Sequence, residues 1–169
     1  MTKSRTHKSS GKEDALSLLM EDHKKVQKIF KDFEKSKDEM DEGTKAEMVR
    51  RACTELKIHT TIEEEIFYPA LRDAIEDEDL IDEAEVEHAS AKQMIDELEH
   101  MQPSDELYDA KFTVLGEYVN HHIKEEQNEI FPEVKKAKLD LEQLGEQLMQ
   151  RKQALQGEME TEAGEHAAA

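Results

Sequence analysis

Two short motifs, His59-Thr-Thr-Ile-Glu63 and His122-Ile-Lys-Glu-Glu126, stand 63 residues apart, and each is followed at the same distance by a proline, Pro69 or Pro132. A histidine four residues before a glutamate puts both side chains on one face of an α-helix, one turn apart. The surrounding residues identify that face. Around the first motif Ala52, Leu56, His59, Glu63, Ile66 and Ala70 recur at steps of three and four, the spacing of a seam packed against other helices. Leu115, Tyr118, His122 and Glu126 mark the same kind of seam around the second. A carboxylate in such a seam costs on the order of several kcal/mol unless a cation or strong hydrogen-bond donors compensate it. The chain must therefore adopt a fold that brings such partners to both glutamates.

Each motif is preceded by another amphipathic segment with a histidine in the middle of its apolar stripe. The first reads Leu16, Leu19, His23, Val26, Phe30, Phe33; the other reads Ile81, Ala84, His88, Ala91, Ile95, Leu98. The order His, HisxxxGlu, His, HisxxxGlu is that of a duplicated helix pair. Helices are predicted over about Asp14 to Lys35, from Thr44 as N-cap with Pro69 kinking or ending the helix, over Leu80 to His100, and from Pro103-Ser104 to Pro132. Turn signals at Asp41-Glu42-Gly43, Asp77-Glu78-Asp79 and Gln102-Pro103-Ser104 separate them. Six Gly, three Pro, no Trp and 38% charged residues suit helices with solvated faces. The expected fold is all-α, an antiparallel up-down four-helix bundle over residues 13–135. Leu139, Leu141, Leu144 and Leu148 predict a short C-terminal fifth helix over 136–156. The segments 1–12 and 157–169 are too poor in apolar residues to be expected to pack.

Four inward imidazoles and two inward carboxylates make a metal site. Imidazole with carboxylate suits iron, manganese or zinc; four histidines disfavour magnesium and calcium. Cys53 is the single cysteine, which excludes an internal disulfide and a thiolate zinc centre. Six ligands are too many for one tetrahedral ion. If Glu63 and Glu126 bridge two six-coordinate ions, the six side chains fill about eight of twelve positions and an oxo or hydroxo bridge about two more, leaving room for a further ligand or a small molecule. His121 and Glu125 form an alternative HisxxxGlu register, but His122 and Glu126 reproduce the ten-residue step to the proline seen from His59 to Pro69. His7, His100 and His166 are read as solvent-exposed.

The formal charge of −19 would repel a phosphate backbone or an anionic membrane surface, so neither nucleic acid nor membrane is an expected partner. No apolar run approaches the roughly 20 residues of a membrane span, and no apolar segment follows the basic N-terminal residues as a secretory signal requires, so a cytoplasmic location is expected.

The two motifs, with their trailing Ile66-Phe67-Tyr68-Pro69 and Ile130-Phe131-Pro132, resemble the hemerythrin HHE family over about His23 to Pro132. The resemblance implies a non-heme centre of two iron ions bound by His23, His59, Glu63, His88, His122 and Glu126. Oxygen-carrying hemerythrins have a second histidine four residues along the third helix. Lys92 stands there in this sequence and cannot ligate while protonated. Tyr118, one turn before His122, is a candidate replacement ligand, or else supports a ligand or packs. The resemblance implies reaction with O2, peroxide or NO, in a catalase-like or other redox role under oxidative stress, with a protein redox partner that the sequence does not identify. The alternative is an iron-storage or O2/redox-sensing module without turnover.

Overall fold

The computed structural model describes residues 13–167, so the expected N-terminal tail, 1–12, lies outside the described residues. The helices are α1 (Ala15–Ser36), α2 (Glu42–Ile62), α3 (Tyr68–Arg72), α4 (Asp79–Glu99), α5 (Tyr108–Glu125), α6 (Phe131–Lys136) and α7 (Leu141–Ala167). Single π turns, Glu63–Phe67 and Glu126–Ile130, join α2 to α3 and α5 to α6, so each pair runs as one continuous rod. The result is an antiparallel four-helix bundle in which α1 packs on α2 and α5, and α4 on α5 and α2.

Local sequence accounts for the ends. Asp14 and Asp41 accept hydrogen bonds from the Ser17 and Thr44 amides at 2.9 and 2.7 Å, capping α1 and α2. The expected N-cap Thr44 thus lies inside α2, as the residue whose amide is capped. Helix continues through Pro69 and Pro132, because the turn before each is widened. The Tyr68 amide bonds the Glu63 carbonyl and the Phe131 amide bonds the Glu126 carbonyl, both five residues back. A proline ring crowds the carbonyl four residues behind it and has no N–H to offer; a π turn relieves both problems within one turn.

The core is divided by a polar layer. On one side Phe30, Phe33, Leu56, Ile95, Phe112 and Leu115 pack together; on the other lie Leu16, Leu19, Ile62, Phe67, Leu71, Ile81 and Val134. Between them sit His23, His59, Glu63, His88, His122 and Glu126, all buried.

α7 is longer than expected, 27 residues, and it runs through most of the segment that the sequence leaves unpacked, 157–169. Leu144, Leu148, Leu155 and Met159 continue one stripe past Gly157 and join the second apolar group. They lay α7 along α1, α2 and the first π turn. The contact is close at Gly145, where a Cβ would meet the Glu13 carbonyl oxygen at 2.7 Å and the Ala15 nitrogen at 2.9 Å, whereas a Cβ at Gly157 would meet nothing within 4 Å. The same substitution should therefore act with opposite sign at the two sites. Gly145→Ala is expected to lower unfolding free energy by about 1–3 kcal/mol, through forced displacement of α7. Gly157→Ala should raise it by up to about 1 kcal/mol, through helix propensity alone. Denaturant unfolding followed by circular dichroism checks both.

Candidate metal centre

The four histidines come from four different helices, His23 from α1, His59 from α2, His88 from α4 and His122 from α5, while Glu63 and Glu126 open the two π turns. The seam spacing of each helix turns these side chains inward. His121 and Glu125 face outward, 3.0 Å apart, with His121 65% exposed.

The inward atoms fall into two overlapping sets. His23, His59, Glu63 and Glu126 place one nitrogen or oxygen each within 4.8 Å of one another, and so do His88, His122, Glu63 and Glu126. Both carboxylates belong to both sets. His59 Nε2 lies 2.6 Å from Glu63 Oε1, His23 Nε2 3.2 Å from Glu126 Oε1, and His122 Nε2 3.4 Å from Glu126 Oε2. Proximity here does not mean hydrogen bonding. His23 Nε2, His59 Nε2, both oxygens of Glu63 and Glu126 Oε1 are buried without an aligned hydrogen-bond partner. Orphaned polar atoms are rare in protein interiors, and five of them converging in one layer is what donors aimed at a shared cation look like.

The hemerythrin HHE cation-binding domain model matches residues 14–134. The chain belongs to the hemerythrin HHE cation-binding family. A crystal structure of an HHE cation-binding domain-containing protein from Mycobacterium kansasii, the Rv2633c homolog, is similar in fold, with a TM-score of 0.72 at 23% identity, covering 86% of this chain and 88% of that one. No curated protein matches the sequence.

Around this HHE cluster three of the four histidines have a partner at Nδ1. Asp22 Oδ2 lies 3.1 Å from His59, Glu87 Oε2 3.2 Å from His122, and the Gln127 amide 3.0 Å from His23. Glu64 Oε1 stands 3.6 Å from His88 Nδ1. The Asp22 and Glu87 carboxylates accept from Nδ1–H, which fixes those two rings and leaves Nε2 as the free ligand atom of His59 and His122. Sequence reasoning missed all four, although the signal was present. Asp22 and Glu87 each precede an inward histidine, Glu64 and Gln127 each follow an inward glutamate, and each serves a histidine on a different helix. Lys92, which replaces the expected extra histidine, pairs with Glu64. Lys152 of α7, 6% exposed, pairs with Asp22. The visible signal for it was a lysine interrupting the stripe between Leu148 and Leu155.

The structure also distinguishes the two tyrosines. Tyr118 lines a small cavity beside the four histidines. Tyr68 reaches the cluster itself: its hydroxyl donates to Glu126 Oε2 at 2.6 Å and lies 3.3 Å from His88 Nε2. Burial pushes the Tyr68 phenol well above its usual range, so it is a neutral donor. Its counterpart 63 residues on is Phe131, which stacks on His23 with ring centroids 6.1 Å apart. One phenol therefore makes the two halves chemically unequal.

In the metal-free chain the cluster is an ion-pair network. Burial alone would lower His122, but hydrogen bonds to Glu126 and Glu87 raise it to about 10. His59 is raised well above its usual value, the Glu63 and Asp22 carboxylates outweighing burial. Burial alone would raise Glu126, but His122 and His23 beside it hold it well below the carboxylate range. Histidines raised on folding stabilise fully below their unfolded value of about 6.5 and lose that contribution as pH rises through the folded value; a depressed glutamate stabilises fully above about 4.3 and loses it on acidification. Metal-free protein should therefore be most stable between about pH 4.3 and 6.5 and weaken toward pH 10, which denaturant midpoints across that range will check.

Proposed function

We propose that this chain is a non-heme di-iron protein that reacts with O2, peroxide or NO. The observation that carries the reading is the sharing of Glu63 and Glu126 between two pairs of histidines. His23 and His59 would hold one ion, His88 and His122 the other, and the two carboxylates would serve both. The donor set is all imidazole and carboxylate, which suits iron and leaves positions open. Iron held there supplies Lewis acidity and one-electron chemistry toward small oxidants.

The chain's own residues decide what can approach. On the histidine side lies a cavity of about 20 Å³, walled by Val26, Leu56, Val119, Ile123 and Tyr118 together with the imidazoles. That is room for about one water-sized molecule, so a diatomic or peroxide fits the space and a larger substrate does not. The apolar wall keeps bulk water from the imidazoles. On the opposite side the Tyr68 hydroxyl holds Glu126 and is placed beside His88, where it can present a proton without being ionised. The confined space also argues against storage, which requires volume for many ions.

Two measurements on protein purified without chelators test the proposal, metal content by elemental analysis and the visible spectrum before and after peroxide. About two irons per chain, with charge-transfer bands that change on peroxide addition while oxygen is evolved and iron is retained, is the expected result. No stoichiometric metal after anaerobic Fe(II) reconstitution would overturn it. Because His59 and His122 are protonated in the metal-free chain at neutral pH, metal uptake at pH 7 should also release about two protons per chain, measurable with an indicator dye in weak buffer.

A further inference from the structure

Positions around the cluster correspond between the two halves at an offset of 65 residues for α1 and α4, set by His23 and His88, and of 63 for α2 and α5, set by His59 and His122. The correspondence holds in function as well as in number, since Asp22 supports His59 as Glu87 supports His122. It breaks on one flank. Beside Asp22 and His59 stand Leu18, Ile62 and Ile66; Leu18 and Ile62 are 2% and 0% exposed, in the apolar group that α7 joins with its leucines. At the corresponding positions beside Glu87 and His122 stand Glu83, Glu125 and Glu129.

No covering helix is laid over these glutamates among the described residues. Glu83 and Glu129 are exposed, Glu125 and Glu87 half-buried, and His122 and Glu126 buried, so acidity runs inward in graded steps along one seam between α4 and α5. These residues line a narrow crevice of about 10 Å³ that ends at His122 and Glu126. Glu126 is 0% exposed, and both residues at which the crevice ends belong to the set of converging donors that also holds Glu63 and His88. The compensation differs too. Asp22 on the closed flank is paired with Lys152, while the partners of Glu87 are His122 and Glu125, and the exposed His121 is the basic group beside Glu125.

We infer that the α4–α5 seam is the route by which divalent cations reach the cluster, an inference that rests on the metal-binding reading above. A carboxylate-lined cleft raises the local concentration of cations and speeds their arrival. Oxygen ligands supplied in succession replace the waters of a hydrated divalent ion one or two at a time, so that no step strips the ion bare. On the closed flank the three corresponding positions are leucine and isoleucine, and the one carboxylate beside them, Asp22, is already paired with Lys152. The route therefore has one mouth, and the ion position nearest it, that of His88 and His122, fills first.

The test is Co(II) uptake by metal-free full-length protein, followed by stopped-flow visible absorbance at low ionic strength alongside an equilibrium titration. The seam variant is Glu83→Gln with Glu129→Gln, both exposed; the control is Glu39→Gln with Glu117→Gln, which changes net charge equally on exposed positions elsewhere. Wild type is expected to bind about two Co(II) per chain. The seam variant should bind the same number with affinity within about twofold, yet take up and release them about five- to tenfold more slowly, a gap that closes with added salt. Control protein should keep the wild-type rates. Seam and control variants loading at the same rate would overturn the route and leave the metal site standing. A wild type that binds no Co(II) at equilibrium would overturn the metal reading, and the route with it.

Discussion

Two fully buried carboxylates set the terms for the rest of the molecule. Glu63 and Glu126 sit in the middle of a bundle whose core on either side of their layer is aliphatic or aromatic. Desolvating one such group is costly, and desolvating two within a few ångströms of each other costs more because they repel. Every nearby polar choice answers this problem. Four imidazoles face the carboxylates, the Tyr68 hydroxyl donates to one, and side chains behind His23, His59 and His122 hold those rings in place. Without a cation the carboxylates hold His59 and His122 toward the protonated form; with one, the same atoms are ligands. The fold tolerates the polar layer because it is confined to one level, with a complete apolar core on either side.

Duplication explains the economy of the design, and departures from it explain the specialisation. The first helix of each half supplies a histidine and an acidic neighbour, the second a histidine, a glutamate and a polar neighbour. The exact two-fold scheme would make two equal ion positions with two equal flanks. Tyr68 against Phe131 breaks the equality at the cluster, and α7 breaks it at the surface. The C-terminal helix covers one flank, sends Lys152 inward to Asp22, and leaves the glutamate-lined flank exposed. Its role is thus to make a symmetric cluster directional as well as to bury leucines.

Much of this was legible in the sequence because helical seams have a short period and the inward histidines and glutamates interrupt apolar stripes visibly. Four helices followed from the spacing, and their arrangement as an antiparallel bundle from the resemblance to the HHE family. What stayed hidden depended on contacts between distant segments. Tyr118 is a candidate from sequence because it shares a helix face with His122, whereas Tyr68, which no such spacing singles out, reaches Glu126 across the bundle after a π turn has shifted its direction. The segment from Gly157 onward reads as lying outside the core because it is poor in apolar residues, but Leu155 and Met159 on either side of Gly157 still find apolar partners. The π turns themselves could not be read from periodicity, since five residues with a proline nearby admit a kink, an end or a widened turn equally well.

Those widened turns also change how the helices must be counted. A π turn holds one residue more than the α-helical turn it replaces, so a seam counted through it at steps of three and four comes out one position off. Here the extra residue falls at the same place in both halves, beginning at Glu63 in one and Glu126 in the other. Tyr68 and Phe131, five residues beyond those glutamates, thereby stand on the cluster side of their rods, one donating to Glu126 and the other stacked on His23.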